Sequence, residues 1–331
     1  MKKKLFTILF TLLAAVTGCG APAVQHSSDA TANTASKSYS VEDGEMLIEQ
    51  NKFKDALAIF TDILKSDTNN AKAHFYAGLC QDKLGKISNA ITHYEDSVKL
   101  DKSLVEAHIN LGALYLDTQK SSKAVEQFKE ASLLEPDEVD IILNLAYAED
   151  AAGQKEDAKK SLQHAINLDD QNADPYIALG TMALENGKNK KALELFLKAQ
   201  KINPNDPVNA LNTANVYLAL KKRKKAVKTL ESIENMEAEG SMYAQAGLAL
   251  AKLKKTDSSL KLYQKAIVAE PPYLKAHILM GNALARAKKF DDAVSHFEQY
   301  LKEDSTSKDA EAAKKGLAAC RAIISKKSSA K

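Results

Sequence analysis

The residues with the widest chemical reach in this 331-residue chain are its three cysteines and seven histidines. A thiolate is a nucleophile and a soft metal ligand, and an imidazole serves acid–base catalysis or metal binding. Here the spacing argues against both uses. No two of Cys19, Cys80 and Cys320 stand at zinc-site spacing, and Cys80 and Cys320 lie too far apart in the chain to suggest a disulfide. His74 and His108 are 34 residues apart, and His277 continues their phase; His93 and His296 share a second phase. Side chains that recur at a fixed interval recur because their packing recurs, whereas a metal site needs ligands converging from different positions. The chain also has no Gly-rich phosphate loop and no nucleophile motif, and its many Asp and Glu fall on helix faces with no domain to frame a cleft. The expectation is no catalytic residue, no metal, no cofactor and no small-molecule substrate. What remains is hydrogen bonding and charge. Asn110, Asn144, Asn212 and Gln245 keep one repeat position, interrupted by Ala178, with Asn215 and Asn282 one helical turn further on. A side-chain amide both donates and accepts, so a row of amides can pair with the backbone of an extended peptide, or simply solvate a helix face.

The elements that would carry these residues follow from the same interval. Ala90, Ala124, Ala158, Ala192 and Ala226 are each 34 residues apart. Twelve residues ahead of each stands a small residue (Gly78, Gly112, Ala146, Gly180, Ala214), and four residues after each an apolar one (Tyr94, Phe128, Leu162, Phe196, Leu230). Upstream, Gly44, Ala56 and Phe60 keep the phase; downstream so do Gly247, Tyr263 and Ala266, then Gly281, Ala293 and Phe297. That makes about eight units, with one step of 33 residues between Ala214 and Gly247, expected in a turn near Gly240. Within a unit, positions such as Ala124, Phe128 and Ala131 fall on one helical face. A second helix carries Ile109, Leu111, Gly112 and Tyr115 toward it, with the small residue letting two backbones approach. Pro136, Pro204 and Pro271 share one position between units and are expected at helix starts.

The third unit, Leu111-Gly112, Tyr115, Ala124, Phe128, Ala131 and Pro136, resembles the tetratricopeptide repeat. The chain has no Trp; His74, His108, Tyr176, Tyr243 and His277 stand where that family often places one. The resemblance covers residues 39–305. It implies an all-α, right-handed superhelical solenoid of about eight helix-turn-helix repeats, closed by a C-terminal capping helix over 306–331 that Ser305-Thr306-Ser307 can start. It also implies that the first helix of each repeat lines a concave groove. The amides would face that groove beside Glu106, Asp140 and Asp174, with Asp117, Asp150 and Glu185 near the ends of the same helices. The charged residues with which chaperone adaptors of this family grip a carboxylate are missing, since their positions hold Val41, Phe75, Ile109, Leu143, Ile177 and Leu211.

Residues 1–18 do not read as part of the array. Lys2-Lys3-Lys4 precedes an apolar run, Leu5 to Val16, too short to span a bilayer comfortably, and small residues follow. Val16-Thr17-Gly18-Cys19 resembles the lipobox of bacterial lipoproteins, which implies cleavage before Cys19 and acylation of its thiol. Gly20 lacks the Asp that resembles an inner-membrane retention signal, so in a host with two membranes the periplasmic side of the outer membrane is expected. Residues 19–38, rich in Ala, Ser and Thr, read as a flexible linker. Loss of three signal lysines leaves 43 Lys and Arg against 43 Asp and Glu, so the mature chain is formally neutral and no nucleic-acid partner is expected. Cations nevertheless collect in the turns of the later units, at Lys188, Lys190, Lys191, Lys221 to Lys225, Lys254, Lys255, Lys288 and Lys289. Such a ridge can meet anionic lipid or wall polymer, or serve solubility alone.

The functional expectation is a lipid-anchored, non-enzymatic scaffold that binds extended segments of other cell-envelope proteins in a concave groove. It would serve assembly of a pilus or secretion pore, or act as an adaptor for cell-wall hydrolases or synthases.

Overall fold

The computed structural model describes residues 39–329, so the expected signal, Cys19 and the linker over 19–38 lie outside the described residues. The described residues are all helix and turn, with no strand. They form two compact units that divide between Leu168 and Asp169. The first holds the pairs α1 (Val41–Glu49) with α2 (Phe53–Ser66), α3 (Ala71–Lys83) with α4 (Ile87–Leu100), α5 (Val105–Asp117) with α6 (Ser121–Leu134), and α7 (Val139–Ala151) with α8 (Lys155–Leu168). The second holds α9 (Asp174–Glu185) with α10 (Asn189–Ile202), α11 (Pro207–Ala219) with α12 (Arg223–Ser232), α13 (Gly240–Lys252) with α14 (Thr256–Val268), and α15 (Ala276–Arg286) with α16 (Phe290–Glu303); α17 (Lys308–Ser329) follows.

Each pair is locked by one contact that the spacing anticipates. A Cβ added to Gly112 would lie 2.9 Å from the Phe128 ring; at Gly78, Gly180, Gly247 and Gly281 it would lie 2.9, 2.6, 2.7 and 2.9 Å from the rings of Tyr94, Phe196, Tyr263 and Phe297. The two pairs that carry alanine instead, Ala146 and Ala214, have Leu162 and Leu230 at the position of the ring, all four buried. Glycine meets an aromatic and alanine meets leucine, so the volume at the crossing is conserved and the core stays close-packed. Phe60, Tyr94, Phe128, Phe196 and Phe297 are all 0% exposed. Phe297 is covered from both sides, because Gly316 of α17 also brings its backbone against the ring. Ser307 starts α17 as expected, its Oγ accepting from Ala310 N at 3.2 Å.

The turn inside each pair closes on a residue with positive φ: Asn51, Gly85, Gln119 and Gly153 in the first unit, Gly187, Lys221, Lys254 and Lys288 in the second. Lys221 N donates to Leu218 O at 2.9 Å and Lys222 N to Tyr217 O at 2.7 Å, the pair of bonds that ends a helix through a left-handed residue. Glycine takes this backbone freely, whereas a side chain there costs about 1 to 2 kcal/mol.

Two expectations need correction. Pro136, Pro204 and Pro271 do not start helices; Pro136 and Pro204 each follow the non-helical C-cap of the helix before, Glu135 or Asn203, and stop that helix, and Pro271 lies in the bend between α14 and α15. The prolines in first turns are Pro175 and Pro207. Gly240 is not in a turn either. It opens α13, packed against Tyr273 and Ala266 O, and the shortened step is absorbed earlier, where α12 has 10 residues and passes into a 3-10 turn over Ile233–Asn235.

Candidate protein-binding faces

In the first unit the first helices gather carboxylates around a tyrosine. The Tyr76 ring on α3 stacks on Phe60 with centroids 5.3 Å apart. Burial raises its hydroxyl pKa, reinforced by the Glu45 carboxylate that accepts its proton and by the charges of Glu106 and Glu42. Acids from α1 and α5 thus converge over α3. Further along, burial holds the Asp82 carboxyl above its usual range, and Asp117 of the next repeat adds to this. Glu106 and Asp140 are exposed, as a groove wall requires. Asn110 is half-buried, and its Nδ2 is 3.4 Å from the Tyr94 hydroxyl, a weak bond that ties it to its own helix stack. Asn144 is different: it is 4% exposed, within a run from Ile141 to Ala146 that is buried throughout. A stretch buried at six successive positions has no open face, and Asn144 is covered with it. Asn144 is therefore not an open groove residue.

In the second unit α11 lies beside α13, and α13 beside α15. Asn215, Gln245 and Asn282, one on each of these helices, are exposed; Asn212 and Asp174 are half-buried. Asn209, one turn ahead of Asn212, is 1% exposed and donates to Phe196 O at 3.0 Å, so it is an amide of the fold. The exposed amides of the second unit and the exposed acids of the first are the polar groups free to meet a partner.

The recurring histidines pair within their repeats. His74 Nδ1 is 3.2 Å from His93 Nδ1, and His277 Nδ1 is 3.1 Å from His296 Nδ1, while in the third repeat His108 Nδ1 meets Gln127 Oε1 at 2.8 Å. Among the described residues no group of three or more His, Cys, Asp or Glu is placed to hold a metal. Cys80 and Cys320 are free and buried, and burial pushes the Cys80 thiol up to about 12, away from the reactive thiolate.

Family models agree with this architecture. Models of the tetratricopeptide repeat match residues 105–138, 143–207, 183–253 and 244–308, and one described as TPR repeat matches 82–119. The chain is a tetratricopeptide-repeat protein. As a TPR protein it is a protein-interaction scaffold, of a family that is generally non-catalytic. Anaphase-promoting complex subunit 3 of Schizosaccharomyces pombe is 25% identical over 143 residues, 43% of this chain and 22% of that protein, so this chain spans about a fifth of its length. Yeast Tom70 superposes with a TM-score of 0.62 at 17% identity, covering 89% of this TPR chain and 67% of that one. A tetratricopeptide repeat protein from Parabacteroides merdae gives 0.58 at 13%, covering 68% and 90%. At these identities the likeness of the two structures is one of fold. Spacing alone misses the cluster of Glu42, Glu45 and Glu106 around Tyr76. Glu42 and Tyr76 share a repeat position, but Glu45 and Glu106 each occupy another, and the signal available was the acid content of α1, with Glu42 and Asp43 in its first turn.

Proposed function

We propose that this TPR protein is exported, lipid-anchored through Cys19, and acts in the bacterial cell envelope as a scaffold that holds extended segments of other envelope proteins against its first helices. One observation carries the binding mode: along the first helices the exposed polar groups include the acids Glu42, Glu106 and Asp140 in the first unit and the amides Asn215, Gln245 and Asn282 in the second. Amides serve any backbone, and acids favour a basic or neutral chain through steering. Export and anchoring rest on the sequence of residues 1–19.

The two parts are tested separately. Radiolabelled fatty acid should enter the wild-type protein, and Cys19→Ala should lose the label and release a soluble form; label retained in Cys19→Ala overturns the anchor. For binding, in-cell crosslinking of the tagged protein followed by mass spectrometry names a partner, whose affinity is then compared across variants. Each backbone hydrogen bond contributes about 0.5 to 1.5 kcal/mol. Asn215→Ala alone should therefore weaken binding modestly, and the triple change at Asn215, Gln245 and Asn282 severely. Glu106→Gln with Asp140→Asn should chiefly slow association and flatten its salt dependence. Unchanged affinity in the folded triple variant contradicts the assignment.

A further inference from the structure

The turns of the second unit carry lysine where backbone and electrostatics both argue against it. Lys221, Lys254 and Lys288 occupy the left-handed position that Gly85, Gly153 and Gly187 fill elsewhere. The next residue in each, Lys222, Lys255 or Lys289, is the N-cap of a second helix and makes no capping bond. A cation at a helix N-terminus opposes the macrodipole. In α12 the opposition is strongest, with Lys222, Arg223, Lys224 and Lys225 in succession and no acid in the first turn. Lys221 to Lys225, Lys254, Lys255, Lys288 and Lys289 are all exposed. The edge is continuous between neighbouring repeats: Arg223 Nη2 donates to Leu253 O at 2.6 Å, tying the turn of one repeat to that of the next. Beyond it, Lys327 of α17 stands 4.9 Å over the Phe290 ring, in a cleft it shares with Lys288 and Lys289 and with the acids Asp291 and Asp292. At the two positions matching Lys221 and Lys222 the turns of the first unit hold a single cation or none: Asn51-Lys52, Gly85-Lys86, Gln119-Lys120 and Gly153-Gln154.

The geometry points to this edge as a docking surface for an anionic lipid bilayer. Its cations are nearly all lysines, flexible point charges suited to a diffuse field; the one arginine fork is already committed to Leu253 O. Its rings, Tyr217 beneath Lys225 and Phe290 beneath Lys327, are buried and half-buried, so the edge lacks the exposed aromatic faces on which single-stranded nucleic acid stacks. A row of turns along one edge of the unit matches an extended flat surface better than a compact ligand. Such contact is independent of acylation at Cys19 and would fix which way the second unit faces.

The test uses the full chain carrying Cys19→Ala, so that no lipid contributes, and vesicles in which roughly one lipid in three is phosphatidylglycerol and the rest phosphatidylcholine. The variant is Lys221→Gly, Lys254→Gly and Lys288→Gly together, which removes three charges while giving each turn the residue its backbone prefers. Each cation near an anionic leaflet is worth roughly fivefold in partitioning, so the variant should lose on the order of 100-fold, with an equal or higher Tm. Binding by the parent should also vanish at about 1 M salt and on pure phosphatidylcholine. A control with the same charge change in the first unit, Lys52→Gln, Lys86→Gln and Lys120→Gln, should bind as the parent does. Parental binding by the glycine variant, an equal loss in the control, or edge-dependent binding to a single-stranded oligonucleotide without vesicle binding would each overturn the proposal.

Discussion

His108 with Gln127 shows how the histidine pairs would stand with one imidazole replaced. The same repeat positions hold His74 with His93 and His277 with His296. Burial lowers the pKa of His93, His277 and His296 below the usual 6.5, and for His93 and His296 the partner imidazole adds to the effect. Asp96, 3.8 Å from His74, and Asp292 and Glu303 near the other pair push upward but weigh less. A folded pKa below the unfolded one means the unfolded chain binds more protons, so the stability is present above about pH 6.5 and lost as pH falls through and below it. Chemical denaturation at pH 7.5 and pH 5 should show that loss. His93→Gln with His296→Gln, copying the third repeat, should fold and reduce it; an unchanged pH dependence in that variant removes the pairs from the explanation. The shared phase of these histidines is legible in the sequence. That they face one another across a helix pair is not, because contact between residues 19 apart depends on the crossing angle.

A helix pair is where glycine and aromatic must match. Gly112→Ala pushes a methyl group into the Phe128 ring, and Phe128→Leu leaves space beside Gly112; each should destabilise the first unit, by about 1 to 3 kcal/mol for the overpacked variant. The double variant recreates the alanine–leucine crossing of Ala146 with Leu162, so it should be more stable than the two losses predict, by about 0.5 to 3 kcal/mol. Strict additivity in a double-mutant cycle would show that the two positions do not share the crossing. Truncating the ring outright, Phe128→Ala or Phe196→Ala, should cost about 3 to 5 kcal/mol. Phe60 is just as buried, yet it belongs to the first described pair, which has a neighbour on one side, so Phe60→Ala should loosen α1 and α2 and leave the later pairs more protected from hydrogen exchange. Helix existence and pairing are legible from period alone. Helix ends are less so: Pro136 and Pro204 share a repeat position, but only the backbone shows that they stop one helix rather than start the next.

At the scale of the molecule, the functional charges separate. Acids gather on the first helices of the first unit, around Tyr76, while cations line the turns of the second. Periodicity assigns a residue to a row and says nothing of its depth, which is why Asn110, Asn144 and Gln245 read alike in sequence yet stand half-buried, buried and exposed. The apolar residues flanking Asn144, Ile141 to Leu143 and Leu145, are the signal that it would be covered. The central claim is that partners meet the first helices, and position-specific photo-crosslinking in cells tests it most directly. A photoreactive side chain placed at Glu106, Asn215 or Gln245 should give discrete adducts with exported proteins, and one at Lys129 or Glu130, exposed on the second helix α6, should give none. Adducts from the α6 positions alone, with the three first-helix positions silent in a folded protein, would place the binding face elsewhere and contradict the account.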